Sequence, residues 1–138
     1  MITLPDTERA VLIRTDFDDD AAWTSIKADI FEPEDDSGLG MQADVVLLED
    51  RAFAGCTVDE LVAGRAAYSH EHLFVADREA MQTFRHPVLV VSLEPERRTS
   101  FRAVPEAVMT IDANLFVDNL SFDELAESAD EDGIFRDF

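Results

Sequence analysis

HLFVADREAMQTFRHPVLVVSL, residues 72–93, holds two apolar runs with a short polar piece between them. The runs at 72–77 and 87–93 are continuous rather than alternating, the pattern of strands covered on both faces of a sheet. Asp77 stands where a helix needs its N-cap, because an aspartate oxygen can accept a free amide proton of the first turn. The helix it opens would carry Met81 and Phe84 inward and stop before Pro87.

The same alternation continues on both sides of this segment. Upstream, Val11–Ile13 begin a strand, and Asp18 or Asp19 caps a helix whose Trp23, Ile26 and Ile30 share one face. Pro33 ends that helix. ADVVLLED, 43–50, reads as a second strand buried on both faces. Thr57 and Glu60 then form a capping box, with Cys56 and Leu61 placed as its hydrophobic staple, over a helix from Val58 to about Ala63 with Gly64 near its end. Downstream, SFRAV at 100–104 alternates and pairs back on 87–93 as a hairpin. Pro105 suits the first turn of a helix carrying Val108, Ile111 and Leu115 on one face. Ser121 and Glu124 repeat the capping box, with Leu120 against Leu125.

The order β-α-β-α-β-α-β-β-α-α predicts an α/β fold. Residues 1–138 form a single domain around a mixed sheet of about five strands. Parallel pairs lie at its centre, the 87–104 hairpin lies to one side, and helices pack upon it. Residues 1–9 read as a loose lead-in, and 32–40, EPEDDSGLG, as a mobile acidic loop.

The 138 residues are 46% hydrophobic, enough for an ordinary core, yet the formal net charge is −20. Such an excess repels nucleic acid and anionic membrane surfaces and favours fast association with a basic protein. Lys27 is the sole lysine, and the acidity also fits a GC-rich genome or a salty cytoplasm. Residues 83–105 depart from it. Arg85, Arg97, Arg98 and Arg102 stand against Glu94 and Glu96, a net of +2 that leaves −22 for the remainder. That hairpin is a candidate surface for self-association, or its arginines simply deter edge-to-edge aggregation. Cys56 is alone and cannot form an internal disulfide. With no secretory signal and no apolar run long enough to span a bilayer, the expected location is the cytoplasm.

Three strands end in carboxylate, at Asp16, at Glu49 and Asp50, and at Asp77. Ligands of open α/β sheets gather beyond the carboxyl ends of parallel strands. Asp16, Asp50 and Asp77 converging there would suit Mg²⁺. The plainer reading is that each closes a strand-to-helix junction. His70 and His72 would face the same side of a strand as a metal pair, or serve as ordinary loop histidines before it, and a third ligand is missing. No GxSxG, glycine-rich phosphate loop or aromatic nucleic-acid platform is present.

RTDFDDDAAW near the start, FVADREAM followed by HPVLVVSL, and FRAVP followed by NLFVDNLSFDELAESADEDGIFRDF resemble a family of small acidic bacterial proteins classed as a domain of unknown function. The resemblance runs over nearly the whole chain, and the C-terminal segment is its most distinctive part. It implies one self-contained domain and brings no catalytic residues. Two functions are therefore expected. The first is a non-enzymatic module that binds, neutralises or regulates a basic protein and needs no cofactor. The alternative is a Mg²⁺-dependent enzyme or metal-gated switch built on Asp16, Asp50 and Asp77.

Overall fold

The computed structural model describes residues 2–31, 45–94, 99–117 and 119–136. The expected mobile loop at 32–40 lies outside them. The fold is α/β, with one six-stranded mixed sheet in the order β2-β1-β3-β4-β5-β6. The strands are β1 (Val11–Arg14), β2 (Val46–Leu48), β3 (His72–Ala76), β4 (Val88–Ser92), β5 (Ser100–Ala103) and β6 (Ile134–Phe135). The helices are α1 (Asp20–Phe31), α2 (Val58–Ala63), α3 (Arg78–Gln82), α4 (Val108–Phe116) and α5 (Phe122–Glu127). No helix among the described residues is long and apolar enough to cross a membrane.

Continuous apolar strands follow from cover on both faces. Successive side chains of a strand point to opposite sides. Leu12 and Phe74 thus join the cluster beneath Trp23 and Ile26 of α1 and Ile111 of α4. Val11, Ile13, Leu73 and Val75 join the opposite cluster, with Leu61 and Val62 of α2 and Phe53. β1 pairs in parallel with β2 and β3. The chain moves one way from β1 to β2 and the other way from β2 to β3. Crossovers of one hand therefore place α1 and α2 on opposite faces, as their core partners show.

Four expectations change. First, β3 and β4 flank a helix yet run antiparallel, Leu73 opposite Val91 and Val75 opposite Leu89. α3 has only five residues, about 7.5 Å of helix, too little to carry the chain back along a strand for parallel pairing. The chain turns instead through Arg85 and His86, both at positive φ (69° and 50°). Phe84, expected inside, lies beyond the end of α3 and is 88% exposed. Second, the tail supplies a sixth strand. β6 pairs in parallel with β5, Ala103 opposite Phe135, so the hairpin is not outermost, and the Phe135 side chain is fully buried. Third, β2 forms the other edge of the sheet, and its Val46 is exposed rather than covered twice.

The fourth concerns residues 2–9. They have no regular structure but are packed, not loose. Leu4 is 1% exposed, and its N–H donates to the Gly64 carbonyl at 2.8 Å. Gly64 lies so close that a Cβ there would stand 2.5 Å from the Ile2 carbonyl oxygen. His70 Nε2 donates to the Thr7 carbonyl (2.7 Å), and Ser69 Oγ donates to Asp6 (2.9 Å). The arm contributes Leu4 to an apolar cluster that its short sequence, read alone, could not reveal.

Candidate functional site

Of the carboxylates singled out by sequence, Asp16, Asp19, Asp50 and Asp77 each satisfy backbone at a turn, whereas Glu49 pairs with Arg14 at 3.1 Å. Asp16 Oδ1 accepts from the Asp18 N–H at 3.0 Å. Asp19 caps α1 by accepting from the Ala22 N–H at 2.9 Å. Asp50 caps a 3-10 turn at Arg51–Phe53 through the Ala52 N–H, 2.9 Å. Asp77 caps α3 through the Ala80 N–H, 3.0 Å. Asp77 is also gripped by Arg102, Nη1–Oδ1 3.0 Å and Nη2–Oδ2 2.7 Å, while Arg102 pairs with Glu79 as well. Asp16 and Asp77 line one open cleft of about 480 Å³ beyond β1 and β3, and Asp50 does not wall it. Among the described residues, no three His, Cys, Asp or Glu side chains are grouped to hold a metal ion.

Arg102 is thus turned to carboxylates rather than displayed, and Arg85 pairs with Glu106 at 2.6 Å. Arg97 and Arg98 lie outside the described residues.

The opposite end of the sheet holds a second cleft, of about 300 Å³. The start of β3 and the end of β4 form its floor, because antiparallel pairing brings His72 opposite Ser92. The end of α4 and the start of α5 close it with Leu115, Leu120 and Phe122. The Ser121 capping box, Oγ to the Glu124 N–H at 3.1 Å and Glu124 Oε1 to the Ser121 N–H at 3.2 Å, fixes the corner between them. Glu71 and Glu94 stand on its walls.

Behind the floor lies a buried polar network. Asp112 on α4, its side chain 3% exposed, accepts from His72 Nε2 (3.0 Å) and from Arg9 Nη2 (2.5 Å). Tyr68 Oη donates to the His72 carbonyl (2.8 Å) and accepts from the Val11 N–H (3.1 Å). Burial pushes the Tyr68 phenol far above its ordinary pKa. A charge buried this deeply stays stable only when paired and hydrogen-bonded, as Asp112 is. The two histidines do not act together. His72 begins β3 and points to Asp112, whereas His70 sits in the preceding loop against Thr7 and the Tyr68 ring. The His72 ring bonds to Asp112, and among the described residues no hydroxyl is hydrogen-bonded to it.

Just past Leu115 of the cleft wall, the end of α4 is apolar and exposed. Phe116 and Val117, at the end of α4, are 58% and 66% exposed, and the Arg9 guanidinium lies 4.0 Å over the Phe116 ring. Sequence reasoning passed over Asp112. Its one signal was a lone carboxylate inside the apolar run VMTIDANLF, next to core-facing Ile111.

Among curated proteins, none matches the chain. Residues 9–138 match the family model described as a domain of unknown function, DUF6924, and the chain belongs to that family.

Proposed function

We propose that the protein is a non-enzymatic binding module of the cytoplasm that takes a basic protein partner. The observation that carries this reading is the exposed pair Phe116 and Val117, which directly follow Leu115 of the wall of the second cleft, a cleft that also bears Glu71 and Glu94. Single exposed apolar residues are ordinary. Two in succession, directly after a residue of the cleft wall and on a chain of net charge −20, supply both an apolar anchor and a steering field. A basic side chain entering between Glu71 and Glu94 would meet carboxylate, while an apolar neighbour covered Phe116. Arg9 already occupies one face of that ring and leaves the rest to solvent. The half-buried, unpaired Cys56 accords with a reducing compartment.

The test is retention from native cell extract on immobilised wild-type chain and on the double variant F116A/V117A, each at low and high salt. A basic protein should be held by wild type, released by salt, and lost by the variant. Calorimetry with the recovered partner should show F116A alone weakening affinity by at least about tenfold. Equal retention on both chains, or indifference to salt, would overturn the reading.

A further inference from the structure

At the carboxyl ends of β1 and β2, away from the cleft just described, Arg14, Trp23, Lys27, Glu49 and Arg51 wall a separate cavity of about 300 Å³. Its cations are not equivalent. Arg14 is buried and committed, to Asp20 at 2.8 Å, to Glu49 at 3.1 Å and to the Asp16 carbonyl at 2.8 Å. Lys27 and Arg51 form no ion pair with any described residue. Their close contacts are with aromatic faces, Lys27 Nζ 5.6 Å from the Trp23 ring and the Arg51 guanidinium 5.1 Å from Phe17. Two cations on one cavity wall without an ion pair to any described residue are unexpected on a chain with 31 acids and 11 bases.

The second observation is independent of charge. Trp23 is 2% exposed, and its buried indole Nε1–H reaches no hydrogen-bond acceptor. An orphaned buried donor costs roughly 1–3 kcal/mol, so its persistence asks for an explanation. Trp23 and Glu49 both wall the cavity. The Glu49 carboxyl is held below the ordinary carboxylate range first by Trp23, against the opposing effect of burial, and then by Arg14 and Lys27. The two groups nonetheless stand outside hydrogen-bond geometry.

We infer that this cavity is a binding site for a small oxyanion, a phosphate or carboxylate, taken by the Trp23 indole N–H together with Lys27 and Arg51. The position is the one where parallel α/β sheets present ligands. Asp20 and Glu49 do not oppose it in full, since Arg14 offsets one of their two charges across short contacts, and with Lys27 and Arg51 the wall carries three cations against two carboxylates. Acidic charge farther away than about 8 Å is screened at physiological salt.

Trp23 is the only tryptophan, so its indole N–H resonance reports the site alone. The full chain is titrated with sodium phosphate and, separately, with sodium acetate, at ionic strength held constant with sodium chloride. At least one salt should move the indole signal saturably. K27A and R51A, both changes at solvent-accessible side chains, should each weaken that binding by about tenfold while the melting temperature holds. Saturation by phosphate alone identifies a phosphoryl ligand, by acetate alone a carboxylate, and by both a general oxyanion site. Linear drift equal to that in chloride, or saturation unchanged in both variants, overturns the inference. So does an indole signal that E49Q displaces while no anion does, because Glu49 is then the acceptor.

Discussion

Replacing Asp112 with alanine should cost the fold about 3 kcal/mol. Removing one member of a buried ion pair typically costs about 3–5 kcal/mol, because the abandoned partner keeps its desolvation penalty. Here the abandoned groups are Arg9 and His72. The Arg9 side chain is 21% exposed and rests on Phe116, so it can recover part of its hydration and pull the cost toward the lower end. His72, packed against Phe74 with its side chain 11% exposed, has less freedom to do so. Against a total stability of about 5–15 kcal/mol, the loss would be plain in urea unfolding and should lower the melting temperature by roughly 10 °C. D112N should cost less than D112A, because the amide oxygen can still accept from His72 Nε2. The coupling is read from a double-mutant cycle with R9A, for which about 1–2 kcal/mol is expected. A D112A cost under about 1 kcal/mol, or strict additivity with R9A, would refute the claim that this network organises the floor of the cleft.

Tyr68, the only tyrosine, offers an optical check on the same region. Its pKa is raised in the fold, so its contribution is complete below the ordinary value of 10.0 and declines as pH rises above it. Phenolate absorbance should therefore appear together with loss of helical circular dichroism, and its appearance in a still-folded protein would contradict the burial argument. T57A and S121A should each destabilise by about 1 kcal/mol, measured by urea unfolding, since each hydroxyl accepts the N3 amide proton of a capping box. Melting curves at matched ionic strength should be the same in low-millimolar Mg²⁺ as in Na⁺, with Asp16, Asp50 and Asp77 acting as turn closures. A specific rise with Mg²⁺ that D16A abolishes would restore the metal reading.

Features whose partners lie close in sequence were legible. Thr57 and Glu60, Ser121 and Glu124, and Asp77 with Ala80 are separated by three residues, and their residue types alone state the bond. Strand identity was legible too, because two-faced burial leaves continuous apolar runs. Strand direction was harder to read. A helix between two strands ordinarily implies a crossover, and only the shortness of α3, ended after Gln82 by an extended Thr83, turns β4 back against β3. β6 has two residues and therefore almost no periodicity to detect. The cleft was illegible for a different reason. Asp112 meets His72 across 40 positions and Arg9 across 103, and no local pattern announces a pair made by the sheet. Trp23 likewise read as a core residue, which it is, while its unanswered N–H exists only in three dimensions.

The parallel joining of β6 to β5 bears on how the protein is made. Phe135 lies at the heart of the apolar cluster beside Phe101, whose ring it meets at 6.4 Å, yet it is translated long after the strands it covers. A ribosome adding about 5–20 residues per second will have released β1 to β5 while that place in the core is still empty. Until residue 135 emerges, Phe101 and the β5 backbone at Arg102–Val104 are open to water and to other strands. The nascent domain therefore passes through an interval with a bare sheet edge over an unfilled core, and a premature stop that removes β6 should divert the chain into aggregation or proteolysis rather than a trimmed, working fold.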